Sequence, residues 1–200
     1  IKMNTFQGKI IKLDAINSTN TYLKELLGKE VVNETVVVLA HSQLNGKGQM
    51  GTVWSSEPGK NLTFSLLQDI SFLNNAQQFY VSIAVSLAVF EVLKTIFIPE
   101  LKIKWPNDIL SGNKKLSGIL IENTIRDGKQ QYCIAGIGLN VNQTVFQGLP
   151  NATSLKTVAG TSFNLDELFF LLLKKLSFYF DRLKSEDFGA LKSEYLKALY

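Results

Sequence analysis

Cysteine and histidine each occur once in the 200-residue chain, at Cys133 and His41. A lone cysteine excludes an intrachain disulfide and any zinc site built on several thiolates. A lone histidine confines serine-histidine chemistry to His41, which leaves the run Val36-Val37-Val38-Leu39-Ala40 and reads as a packed or supporting residue rather than a base. Cys133, inside Tyr132-Cys133-Ile134-Ala135, reads as a small buried strand residue without thiol chemistry. Charge of one sign is also scarce. The 21 basic and 17 acidic residues leave a net charge of +4, and the lysines are spread along the chain, so no nucleic-acid stripe is indicated. No segment reads as a membrane span: Ile70 to Phe90 is uncharged, but Asn74, Asn75, Gln77, Gln78, Ser82 and Ser86 mark it as a buried core helix. The opening Ile1-Lys2-Met3-Asn4 lacks a basic-then-apolar secretion pattern, which together with the single thiol predicts a cytoplasmic protein. Repeats, low-complexity tracts and linkers are missing too.

What is present suits one folded domain over residues 1–200: 46% of residues are hydrophobic and 19% charged, far from the composition of disordered chains. Asn17-Ser18-Thr19-Asn20 offers caps for a short helix of Tyr22, Leu23, Leu26 and Leu27 ending at Gly28. Strands are expected over Thr35 to Ala40 and Asn61 to Leu67, then a long helix from about Asn75 to Phe97, before Pro99. Leu101 to Trp105 alternates as a half-buried strand stopped by Pro106. Ile109-Leu110, the turn Ser111 to Lys114, and Leu116 to Glu122 form a hairpin; Arg126-Asp127-Gly128-Lys129 turns into a strand from Gln131 to Val141. The middle is therefore an antiparallel meander. Asn164 and Glu167 open a helix over Leu165 to Leu183, and a shorter one follows Asp187. Phe169, Phe170, Phe178, Tyr179 and Phe180 at helical spacing read as core.

Three segments carry chemistry. Gly46-Lys47-Gly48-Gln49-Met50-Gly51-Thr52-Val53-Trp54 combines three glycines, a lysine and a tryptophan, which suits a loop that wraps an anion and ends against a flat ring. It is not a P-loop, because Thr52 follows Gly51 with no lysine between, and not a dinucleotide fingerprint, because a strand rather than a helix follows. In Lys104-Trp105-Pro106-Asn107-Asp108, followed by Lys115-Leu116-Ser117-Gly118, a strand end and a hairpin bring Asp108 and Lys115 toward a common site. A Pro-Asn turn with a surface ion pair explains the same residues. Gly136-Ile137-Gly138-Leu139-Asn140 places small residues on a strand, where a ligand or another part of the chain can approach closely.

Taken together and in order, these segments resemble the biotin protein ligases, which share a glycine-rich loop ending in tryptophan, Lys-Trp-Pro-Asn-Asp, Lys-Leu-x-Gly-Ile-Leu and Gly-x-Gly-x-Asn. Ser18-Thr19-Asn20 and Ala152-Thr153-Ser154-Leu155 match two further segments, so the resemblance runs from Asp14 through the final helices. It implies an α+β fold: a mixed, largely antiparallel sheet flanked by helices, like the class II aminoacyl-tRNA synthetases. It also implies a two-step reaction, in which biotin's carboxylate joins the α-phosphate of ATP and biotin then passes to a lysine of a biotin carboxyl carrier protein, part of a carboxylase. Lys47, Asp108 and Lys115 are the implied catalytic residues. Ser18, Thr19, Asn20, Gln43, Gly46, Lys47, Gly48, Lys115 and Gly118 would bind biotin; Lys47, Gln49, Met50, Gly51, Trp54, Asn107, Asp108 and Asn140 would bind ATP. Asn140 would also face Mg2+, and Asp108 would orient or deprotonate the accepting lysine.

Two rival readings stand beside this one: a lipoate or octanoate ligase, and a non-catalytic binder of biotin or its adenylate. The family's winged-helix domain has no room before Asp14, which implies no DNA partner, and the small SH3-like C-terminal domain would lie beyond Tyr200. An exposed sheet edge could pair across a homodimer. The loop also departs from the family in having Lys47 where arginine is usual, with Gln49 and Met50 replacing further arginines. Lysine cannot fork onto phosphate as arginine does. The biotinyl-adenylate should therefore dissociate faster than from an arginine-loop relative, as measured by release of labelled intermediate; equal or slower release would contradict this.

Overall fold

Alternation on the central strands decides the layers. The computed structural model describes residues 6–29, 31–126 and 130–200. In order, it contains β1 (Lys9–Ile16), α1 (Thr19–Lys29), β2 (Val36–Gln43), β3 (Gly46–Lys47), β4 (Val53–Trp54), β5 (Leu62–Asp69), α2 (Phe79–Thr95), β6 (Leu101–Lys104), β7 (Asp108–Ser111), β8 (Lys114–Arg126), β9 (Gln130–Leu139), α3 (Leu155–Ala159), α4 (Leu165–Lys184) and α5 (Phe188–Ala198). Seven strands form one sheet in the order β1-β2-β5-β9-β8-β7-β6, with only β1 and β2 parallel. The glycine loop stands outside it as the two-stranded ribbon β3-β4. This is the mixed, largely antiparallel sheet flanked by helices that the sequence implies.

One face of the sheet is continuous hydrocarbon. Leu62, Phe64 and Leu66 of β5 and Cys133, Ala135, Ile137 and Leu139 of β9 point to α2 and α4, with Phe64 meeting Phe169 edge-on at 5.2 Å. Burial pushes the Cys133 thiol up to about 12, which makes it a packing group, as expected. The other face is covered by α1, whose Leu23 and Leu27 meet Val36, Val38, Leu67 and Ile134. Here the register matters. One row across the sheet reads Val36, Leu67, Ile134, Glu122; the next reads Val38, Ser65, Gly136, Leu120; the third reads Ala40, Thr63, Gly138, Gly118, Asp108. Bulk thus drains from this face toward one end of the strands, and a hollow opens where it ends.

Several expectations need correcting. Thr19 and Asn20 are not caps but the first turn of α1, with Ser18 Oγ accepting from the Thr21 amide at 3.4 Å, and the helix passes through Gly28 to Lys29. Asn74 and Gln77 cap a short 3-10 turn at 75–77, so α2 itself begins only at Phe79. His41 lies within β2 and is exposed rather than packed. Of the α4 aromatics, Phe169, Tyr179 and Phe180 are core, whereas Phe170 and Phe178 face outward. Strand β1 and helix α3 were not anticipated. The turn expected at 126–129 falls mostly outside the described residues.

Helix α2, with its preceding turn, is long and apolar enough to cross a bilayer, yet it is packed between the sheet, α4 and α5, with ten of its residues buried. At the far edge, Leu199 bridges Ile103 of β6 and the Tyr200 amide donates to Ile103 O at 2.9 Å. Phe64→Ala should cost about 3–5 kcal/mol, read from denaturant unfolding; a loss under about 1 kcal/mol would contradict the central place given to the Phe64–Phe169 contact.

Candidate active site

The hollow is a cavity of about 290 Å³ whose floor is the Thr63-Gly138-Gly118 row and whose walls are the start of α1, the glycine ribbon and the β7-β8 hairpin. Ser18, Thr19, Asn20, Gln43, Lys47, Gly48, Gln49, Trp54, Asn107, Asp108, Lys115 and Gly118 line it, which gathers most of the predicted residues from five separate segments. Asn140 does not line this space. It borders an adjoining cavity of about 230 Å³ shared with Trp54, Lys115, Phe146 and Leu149. Gly46 and Gly51 line neither cavity, and the Met50 side chain lies outside the described part of the structure. Gly46 instead lets β3 pass against Trp54 O and the Gln43 side chain, where a Cβ would overlap both.

Two glycines make the site possible. A Cβ on Gly138 would fall inside the Trp54 indole, and one on Gly136 would collide with the Asn20 amide. Both close approaches are made by side chains of this same chain, so the small strand residues serve a packing seam that shapes a cavity. Trp54 lies against Gly138 and Gly118 and borders both cavities, and its buried Nε1 has no hydrogen-bond partner among the described residues.

The cavity has a charged end and a neutral end. At the β7-β8 hairpin, Lys115 Nζ meets Asp108 Oδ1 at 2.7 Å and sits 5.9 Å from the Trp54 ring centroid. In backbone register Asp108 faces Gly118, not Lys115, and a bulge between Ile109 and Leu110 lets the lysine reach across. Asn107 lines the cavity, but its amide nitrogen donates to Ile119 O while the Ile119 amide donates back to Asn107 O, so it clamps the hairpin. Asn140 is similarly committed, donating to Thr153 O at 3.0 Å. Lys47 is exposed on the ribbon and has no ion-pair partner among the described residues.

The neutral end is a hydrogen-bond network. Thr19 N donates to Gln43 Oε1 at 2.8 Å, Thr19 Oγ1 meets Ser65 Oγ at 2.6 Å, Ser65 donates to Asn20 Oδ1 at 2.5 Å, and Asn20 Nδ2 donates to Glu122 at 2.8 Å. Burial pushes the Glu122 carboxyl up, but the hydrogen bonds from Lys24 and Asn20, with the charges of Lys24 and Lys47, outweigh it and hold the group below the usual carboxylate range. The sequence reading overlooked Ser65, Thr63 and Glu122. Two polar residues alternating with Leu62, Phe64 and Leu66 on one strand were the visible trace of the first pair; nothing local marks Glu122. The lateral spacing of β5, β9, β8 and β7 separates the Ser65 end from the Asp108 end by roughly 14 Å.

Residues 13–140, which include all three motif segments and every residue lining the main cavity, match the biotin/lipoate A/B protein ligase family. The chain belongs to that family. It is 34% identical over 145 residues to the bifunctional ligase/repressor BirA of Bacillus spizizenii, a match covering 72% of this chain and 43% of that protein. It is 31% identical over 150 residues to the biotin--[acetyl-CoA-carboxylase] ligase of Mycobacterium tuberculosis, covering 72% of this chain and 54% of that one. The chain thus spans about half the length of these relatives. Among solved structures it resembles the biotin protein ligase of Aquifex aeolicus in complex with biotin and ATP, with a TM-score of 0.82, 28% identity, and coverage of 96% of this chain and 78% of that one.

A magnesium ion accompanying a nucleotide would find few protein oxygens here. Asp108 is the one carboxylate among the described residues lining the main cavity, Asn140 borders the adjoining one, and no group of three or more His, Cys, Asp or Glu forms a metal site among the described residues. That donor set fits magnesium, which keeps waters and leans on phosphates rather than on a protein cage. Gly138→Ala should push the indole off β9 and cost about 1–3 kcal/mol. In a Trp105→Phe background the emission of Trp54 should shift to the red, and an unchanged spectrum would show that the ring does not depend on that glycine.

Proposed function

We propose that this chain activates biotin with ATP to biotinyl-5'-AMP and transfers the biotinyl group to a lysine of a biotin carboxyl carrier domain in the cytoplasm. The observation that carries this reading is the split cavity: the Lys115–Asp108 pair at one end, and the neutral side chains of Thr19 and Gln43, backed by Ser65, at the other. Biotin has the same division, a carboxylate tail and a ureido ring. An octanoyl or lipoyl group would set hydrocarbon against the Thr19 hydroxyl oxygen and the Gln43 amide at the cavity, at about 1–3 kcal/mol for each polar group left without a partner. The family includes lipoate ligases, so this polarity argues for biotin among its substrates.

In the first step two anions must meet. Lys115 holds the carboxylate while Lys47 and the ribbon amides draw off charge from the phosphate oxygens, so that a carboxylate oxygen attacks the α-phosphorus and pyrophosphate departs. Magnesium, when bound with the nucleotide, supplies further neutralisation. Trp54, on the wall between the cavities, offers a flat face to the adenine. In the second step a neutral amine attacks the anhydride carbonyl, the amide bond forms and AMP leaves; Asp108 accepts the amine's hydrogen bond and takes its proton.

Exchange of labelled pyrophosphate into ATP tests the first step without a carrier. It should require biotin and magnesium and be absent with lipoate or octanoate. Lys115→Ala should lower it by roughly 100-fold or more, while Asp108→Asn should lower transfer to a carrier domain by at least as much. Exchange with octanoate in place of biotin would overturn the substrate assignment, and biotin binding without any exchange would leave a binding protein instead of an enzyme.

A further inference from the structure

Beyond the ligand-facing residues, one carboxylate is tied into the cavity wall. Glu122 stands on the α1 side of β8 and accepts from Lys24 Nζ at 2.5 Å and Asn20 Nδ2 at 2.8 Å. A carboxylate only accepts, so the Asn20 amide has one orientation, nitrogen toward Glu122 and oxygen toward Ser65. That oxygen also only accepts, and Ser65 spends its single proton on it. The 2.6 Å contact between Ser65 and Thr19 must then run from Thr19 to Ser65. With its proton spent, Thr19 cannot donate to Gln43 Oε1 3.1 Å away, and that oxygen is itself fixed as an acceptor by the Thr19 amide. Two acceptors therefore stand side by side at the cavity with no proton between them.

We propose that Glu122 is a positioning residue which, through Asn20 and Ser65, makes the Thr19 and Gln43 oxygens an acceptor-only seat that selects a ring N–H and refuses an oxygen in its place. The inference rests on the biotin reading above, in which a ureido N–H takes the seat. Glu122 acts at a distance because each group in the series has a single proton or a single acceptor face to offer, so the polarity set at one end is passed to the other. In Glu122→Gln the new amide can donate to Asn20 Oδ1. Asn20 then turns over, Ser65 receives a proton instead of giving one, and Thr19 regains its own proton at the seat.

The test compares calorimetric affinities for biotin and for a biotin analogue whose ring N–H is replaced by oxygen to give a cyclic carbamate. The parent protein should favour biotin by at least about 100-fold. Glu122→Gln should reduce that preference below about tenfold, mainly by weakening biotin, with ATP affinity unchanged. Ser65→Ala interrupts the same series and should do likewise, and the double variant should be no worse than the weaker single one. Equal weakening of both ligands, additive losses, or an undiminished preference would overturn the proposal. If Glu122→Gln fails to fold, as judged by its melt, Ser65→Ala decides the matter by the same criterion. Failure of the parent protein to bind biotin would instead sink the functional reading; the series is then judged in the free protein, where the Asn20 side-chain amide should exchange slowly and become fast in Glu122→Gln. Equal exchange would reject it.

Discussion

A sheet face covered by a helix is ordinarily filled by side chains, and the site exists because two positions of β9 supply none. Gly136 and Gly138 follow Ile134 at the strand's two-residue period, so the hydrocarbon layer under α1 stops abruptly at Ile134. Asn20 enters over the first glycine and Trp54 over the second. Around these two approaches the helix start brings Thr19 to Gln43 and Ser65, and the ribbon that carries Trp54 brings Lys47 and Gly48 to the cavity rim.

Burying so many polar groups in a hollow is costly unless each has a partner. The neutral end meets that demand internally, through a series of hydrogen bonds that ends on an ionised carboxylate at the surface. The charged end meets it differently. Lys115 and Asp108 are partly exposed, and such a pair adds little to stability. Its value lies in holding an ammonium and a carboxylate at a fixed spacing beside an aromatic wall, where a substrate's own charges can replace the pairing. The two ends thus suit a ligand that is neutral and hydrogen-bonding at one end and anionic at the other.

Much of this was legible in order along the chain. The hairpin from Asp108 to Gly118 and the long apolar helices follow from turn residues and spacing, which are local, whereas the expected meeting of Lys115 with Asp108 also needed the bulge after Ile109. Strand β1 escaped notice because Lys9, Lys12 and Asp14 interrupt its apolar residues, as suits an edge strand with one neighbour. Helix α1 starts earlier than its caps suggest because Thr19 and Asn20 bond to Gln43, Ser65 and Glu122, long-range contacts that outweigh local preference. Asn107 and Asn140 sit in the most recognisable motifs, yet their amide nitrogens bond to Ile119 and Thr153 backbone oxygens, so a motif can be kept partly for the hairpin and turn it stabilises.

By itself the sequence determined the family, the strands and helices of the middle of the chain, and the residue types brought to the site, because these depend on short-range spacing and on glycine, proline and charge placed at turns. Only the tertiary structure decided which polar atoms face the cavity, that Glu122 belongs to its wall, and that Asn140 lies next door rather than inside. Those outcomes depend on strand register and on where each proton is spent, and both are settled by contacts between separate segments, such as Thr19 with Gln43, 24 residues on, and Asn20 with Glu122, 102 residues on.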